Sequence, residues 1–170
     1  MIDTDYLDAS TRVVCIWVSH DSQRIRRNAD FSLAHDKESG RDVAIKFDRS
    51  GELEKEAQVY KDLGDMIGIP RLKRTGHHNG STYLVLQLLG PSLEDISRFH
   101  EHPKFSPRTV LHVGEQLIRR LENFHKRGYV NADLDTARIL VGTDKAGHQM
   151  HIVGLDRAKR YVLTPRGIDW

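Results

Sequence analysis

At 170 residues, with 38% hydrophobic and 29% charged residues, the chain has the size and composition of one globular domain, not of a disordered tract. A formal net charge of +2 argues against nucleic-acid binding driven by bulk charge, although ten histidines would add positive charge below pH ~6.5. The single cysteine, Cys15, excludes an intrachain disulfide and fits a reducing compartment.

Arg12–His20 is β-branched and aromatic and predicts a first strand. Its apolar run Val13–Val18 is far too short to span a bilayer and no signal peptide precedes it, so the expectation is a soluble protein of the cytoplasm or nucleus with no membrane partner. Asp21–Asp30 follows as a polar turn. Its arginines Arg24, Arg26 and Arg27 read first as a solvated loop and second as a phosphate or acidic-partner patch. Phe31–Asp36 and the alternating Arg41–Asp48 predict two more strands around the turn Lys37–Gly40, completing an antiparallel meander. From Ser50 the period changes. Leu53, Ala57, Tyr60 and Leu63, with Val59, form an apolar stripe at helical spacing, and Ser50 or Gly51 can cap its start.

Arg71–Gly90 reads as a hairpin with His78-Asn79-Gly80 in its turn and a buried strand from Tyr83 to Leu89. Pro91–His102 reads as a short helix. Ser106–Gly128 carries the strongest helical signal, with Ser106 as cap, Pro107 in the first position and Gly128 at the end. Its expected buried stripe is Val110, Val113 with Gly114, Leu117, Leu121 and Phe124. Arg138–Gly142 and Met150–Asp156 predict short closing strands. Clustered strands exclude a doubly wound sheet and predict an α+β chain divided near Gly90–Pro91. Residues 1–90 would hold the antiparallel sheet with one helix, and residues 91–170 a mainly helical part.

The segments "VAIK" (Val43–Lys46), "ELEKEAQVYKDLGDMIGIPRL", "YLVLQLLGPSLEDI" and "LENFHKRGYVNADLDTARILVG" resemble, in order and wording, protein kinases of the casein kinase I family. The likeness runs from about Phe31 to Trp170. It implies a kinase-like fold whose antiparallel N-lobe covers residues 1–90, followed by an incomplete C-lobe over residues 91–170. It further implies that Lys46, on the third strand, holds the α- and β-phosphates of ATP, paired with Glu56 on the next helix or, as the alternative, Glu54. Leu86 would be the side chain behind the adenine pocket, with Leu88 and Leu89 in the hinge that begins at Gln87.

The departures from that pattern are chemical. The phosphate-covering glycine loop falls on Arg24–Ala29, which has no glycine to let backbone N–H groups approach phosphate. The catalytic loop, His-Arg-Asp in the family, reads Asn131, Ala132, Asp133. Asp133 thus keeps the base position as a vestige, Asp135 replaces a phosphate-steadying lysine, and Arg138 replaces a metal-ligating asparagine. The metal-binding Asp-Phe-Gly falls on Gly154, Leu155 and Asp156, so the ligand position holds a glycine, and Asp156 stands two positions late.

Losing one electrostatic donor costs ~10²–10³-fold in rate, and several are replaced here. The expectation is a non-catalytic pseudokinase module that acts through a protein partner, such as a kinase or a kinase substrate, with no metal site of its own. Two readings stand beside it. One is a weak serine/threonine kinase or ATP hydrolase using Lys46, Glu56, Asp133 and a shifted Asp156; the other is ATP binding without transfer and without magnesium. His77–His78 in a hairpin turn and the isolated Cys15 predict no His/Cys metal centre. Because the family's remaining segments would follow Trp170, the stripe of the Ser106–Arg127 helix is expected to lack part of its cover, leaving an apolar face of several hundred Å².

Overall fold

The computed structural model describes residues 13–17, 30–99, 105–143, 146–164 and 167–169. It divides into two compact units: Met1–Gln58 with Arg71–Leu88, and Val59–Pro70 with Leu89–Trp170. The architecture is α+β, as the clustering of strands predicts. The main division falls between Leu88 and Leu89, and the segment Val59–Pro70 joins the second unit. Hydrogen bonds explain that assignment, because the carbonyls of Asp62 and Leu63 accept from the Arg127 guanidinium and that of Gly68 accepts from the Ile152 N–H.

The first unit is built on a five-stranded antiparallel sheet in the order β1-β2-β3-β5-β4. Its strands are β1 Val13–Trp17, β2 Asp30–Asp36, β3 Arg41–Asp48, β4 Leu72–His78 and β5 Ser81–Gln87. The flanks of the expected first strand (12 and 18–20) and the turn Arg24–Ala29 lie outside the described residues. Between β4 and β5, Asn79 and Gly80 take φ of +47° and +74°. Two successive positive φ values match the right-handed twist of a hairpin, and Asn-Gly is the pair that adopts them most readily.

One expectation needs correcting: β5 ends at Gln87, not at Leu89. The ladder to β3 runs from Thr82 to Gln87, and the Gly90 N–H bonds instead to the Val141 carbonyl in the second unit. Leu88 and Leu89 are therefore half-buried linker residues.

Alternation along β3 gives its two faces different roles. Val43 and Ile45 pack with Ala34, Tyr83 and Val85 into an apolar core that Phe47 borders. Lys46 and Asp48 lie on the opposite face, and both address helix α1, Glu52–Leu63. The Asp48 carboxylate accepts from the N–H groups of Glu52 and Leu53 at 3.1 and 3.3 Å, and Ser50 Oγ accepts from Glu52 at 3.3 Å. Asp48 and Ser50 thus satisfy N–H groups that the first helical turn leaves without partners. The predicted stripe Leu53, Ala57, Val59, Tyr60 and Leu63 is buried throughout.

The second unit contains helices α2, Leu93–Phe99, and α3, Pro107–Lys126. Ser92 and Asp95 cap α2 reciprocally: Ser92 Oγ accepts from the Asp95 N–H at 3.0 Å and the Asp95 carboxylate accepts from the Ser92 N–H at 3.1 Å. Ser106 caps α3 by accepting from Thr109 N–H, Pro107 opens it, and Gly128 follows its end. Strands here are short and paired antiparallel: β6 Tyr129–Asn131 with β9 Ala158–Arg160, β7 Ile139–Val141 with β8 Met150–Ile152, and β10 Val162–Thr164 with β11 Gly167–Asp169. The unit is thus less purely helical than expected, and Arg138 stands in a single helical turn, Thr136–Arg138, before the strand. A small core of Leu93, Ile139 and Met150 packs against Ile96, Phe105, Val113, Leu117 and Val141.

The stripe of α3 is only partly covered. Phe124 is fully buried and Val113, Gly114, Leu117 and Leu121 are half-buried. Val110, expected inside, is 55% exposed, beside Leu111 at 74% and Ile118 at 69%. The small core reaches Val113 and Leu117 and extends no further toward the helix start. Among the described residues, no helix is long and apolar enough to cross a membrane.

Candidate functional site

In the first unit, Lys46 Nζ lies 2.5 Å from Glu56 Oε2, with Lys46 8% and Glu56 1% exposed. The sequence produces this contact in two steps. Strand alternation turns Lys46 toward α1, and Glu56 falls three residues after Leu53 and four before Tyr60, on the buried stripe. Glu54, the alternative partner, is 62% exposed on the opposite side and faces His77 at 3.8 Å. Glu56 is therefore the partner of Lys46. The ammonium also lies 5.7 Å from the centre of the Phe31 ring, which favours a cation there.

Leu86 is buried in β5, opposite Ala44 of β3 and Leu72 of β4. Leu88 follows at the end of the first unit, and Leu89 opens the second.

The acid-rich loop Asn131–Arg138 belongs to the second unit, and here the structure brings together residues scattered in sequence. Asn131 Oδ1 accepts from the Asp133 N–H at 3.0 Å, and Asp135 Oδ1 accepts from the Arg138 N–H at 3.0 Å, fixing the loop at both ends. The Arg138 side chain then turns back over it. Nη2 donates to Asp133 Oδ2 at 2.6 Å and Nη1 to Asp156 Oδ1 at 2.8 Å, while Nη1 also donates to the Gly154 carbonyl. Arg157 approaches Asp133 from the rim at 3.6 Å. Burial works against the Arg138 charge, but Asp156, Asp133 and Asp135 outweigh it and raise its pKa above the ordinary arginine value.

Gly154 is matched to this arrangement. It has φ +69°, in the left-handed region, and a Cβ there would lie 2.7 Å from Arg138 Nη1. Any side chain at this position would be strained by the backbone and would collide with the guanidinium. The donor set consequently does not suit a divalent ion. Asp133 and Asp156 already pair with Arg138, Asp135 holds its backbone N–H, and position 154 offers only a carbonyl that the same guanidinium occupies. Among the described residues, no group of three or more His, Cys, Asp and Glu could hold a metal.

No family model matches the chain.

Two features escape a reading of the sequence by itself. Asp48 looks like no more than the end of a strand, although an Asp and a Ser just ahead of an acidic first turn form a recognisable cap. Under the resemblance Asp156 reads as a displaced metal ligand, whereas its bond to Arg138 joins residues separated by eighteen positions, beyond the reach of any local pattern.

Proposed function

We propose that the chain is a non-catalytic, protein-kinase-like module of the casein kinase I type that acts by binding a protein partner. The observation that carries this reading is the Arg138 guanidinium, hydrogen-bonded to Asp133 and Asp156 and to the Gly154 carbonyl. In the reading that the sequence resemblance suggests, these positions would orient the substrate and hold magnesium. Phosphoryl transfer relies on cations that neutralise the phosphate oxygens and on a carboxylate that accepts the substrate proton. Here the carboxylate at the base position is engaged by an internal cation, and that cation is tied down by two acids. The antiparallel sheet with one helix and the sequence order of the motifs support the same assignment.

Phosphate transfer from radiolabelled ATP to an acidic protein substrate tests the reading, and no transfer above background is expected. Turnover that Asp133→Ala abolishes would overturn it. A second reading, ATP binding without transfer, is favoured by the buried Lys46–Glu56 pair. It predicts a thermal shift with ATP that magnesium does not enlarge and that Lys46→Met removes, with Leu86, Leu88 and Leu89 beside the base.

A further inference from the structure

The C-terminal end of α3 and the strand β9 enclose an open cleft of about 530 Å³ in the second unit. Lys126, Arg127 and Arg160 line it together with His125, against a single carboxylate, Glu122. Two of the three permanent cations have evident internal roles. Lys126 pairs with Glu122 at 2.6 Å, one turn back on the same helix. Arg127 donates to the carbonyls of Asp62 and Leu63 at 3.2 and 2.9 Å, where α1 ends. Arg160 differs from both. Among the described residues its guanidinium has no ion-pair or hydrogen-bond partner, and the same holds for the His125 ring. Tyr161 completes the wall, its hydroxyl donating to the His125 carbonyl at 2.8 Å.

Grouping three permanent cations around one concave surface raises the local potential, which an incoming anion would relieve. From this placement we infer that the cleft is a docking site for an acidic peptide segment of a protein partner, anchored on Arg160. The walls favour a peptide over a bare anion, because long arginine and lysine stems and an aromatic ring offer apolar contact between the charges. They favour a peptide over nucleic acid, because a phosphodiester chain needs a longer basic track than one cleft that carries its own carboxylate. The inference rests on the interaction-module reading for the identity of the ligand as protein, but the two are tested apart. Peptide affinity does not depend on Lys46 or Arg138, and phosphate transfer does not report on Arg160.

The test is fluorescence anisotropy of a fluorescein-labelled glutamate-rich peptide, with an otherwise identical glutamine peptide as control. Saturable binding of the glutamate peptide alone is expected, weakening about tenfold between about 50 and 300 mM NaCl as screening increases. Arg160→Glu should weaken it about tenfold or more, whereas Arg98→Ala on α2 should leave it unchanged. If the reversed charge lowers the melting temperature, Arg160→Ala gives the same reading with less perturbation. The proposal is overturned by absent saturation, equal capture of the glutamine peptide, unchanged affinity in both Arg160 variants, or tighter capture of labelled oligouridylate.

Discussion

Glu56→Gln is the most informative single substitution, because it keeps the shape of a buried side chain and removes only its charge. At 2.5 Å the Lys46–Glu56 attraction is about 6–7 kcal/mol at an effective dielectric constant of ~20, a gross figure that desolvation of both groups largely offsets. The loss on removing one partner is governed by what remains. Lys46, only 8% exposed, is then left as a buried cation without its carboxylate, which costs free energy. Removing one partner of such a pair typically costs about 3–5 kcal/mol, whereas replacing both with well-packed apolar side chains is often neutral or stabilising. Urea unfolding of wild type, Glu56→Gln and the double variant Lys46→Met/Glu56→Leu measures both. The single variant should lose about 3–5 kcal/mol and the double variant much less. A loss below about 1 kcal/mol for Glu56→Gln, or an equal loss in the double variant, would refute the argument that the pair is held by mutual neutralisation in a dry site.

Asp48→Ala should destabilise by about 1–2 kcal/mol in the same assay, since it strips the cap from α1. Burial pushes the Asp48 carboxyl up, but hydrogen bonds from Ser50, Leu53 and Glu52 prevail and hold its pKa below the usual value. Its contribution is therefore full above the ordinary aspartate range and fades as pH falls through the folded-state value. His151, 4% exposed, has its pKa pushed down by burial and by nearby Arg120, against a partly compensating bond to the Gln149 carbonyl. Its neutral form belongs to the folded state, so wild type should lose thermal stability as pH drops below about 6.5, and His151→Phe should flatten that slope. Gly114→Ala on α3 should stabilise by about 0.5–1 kcal/mol, because an added Cβ meets nothing within 4 Å and alanine is the better helix former.

What the sequence made legible is what short-range rules govern. The alternation of Arg41–Asp48, the Asn79-Gly80 turn, the stripe of α1 and the caps of α3 each depend on neighbours within a few residues, and each appears where the pattern places it. The Lys46–Glu56 contact is what the sequence resemblance implies, with Glu54 left open as the alternative, and the geometry selects Glu56. Asn131–Asp156 behaves differently. Set one by one against the kinase pattern that the sequence resembles, Arg138 reads as a replaced metal ligand, Gly154 as a replaced carboxylate and Asp156 as a displaced one. Placed together they are one device: a glycine leaves room for a guanidinium, and two carboxylates neutralise it. This interdependence predicts that a metal ligand introduced at a single position fails. Gly154→Asp would set a side chain 2.7 Å from Arg138 Nη1 on a left-handed backbone, and so should destabilise the chain without gaining magnesium affinity. The Arg138→Asn/Gly154→Asp pair removes the collision and retains only the backbone strain. A double-mutant cycle of melting temperatures should therefore give a coupling of about 1 kcal/mol or more, and additive losses would show that the two positions are independent.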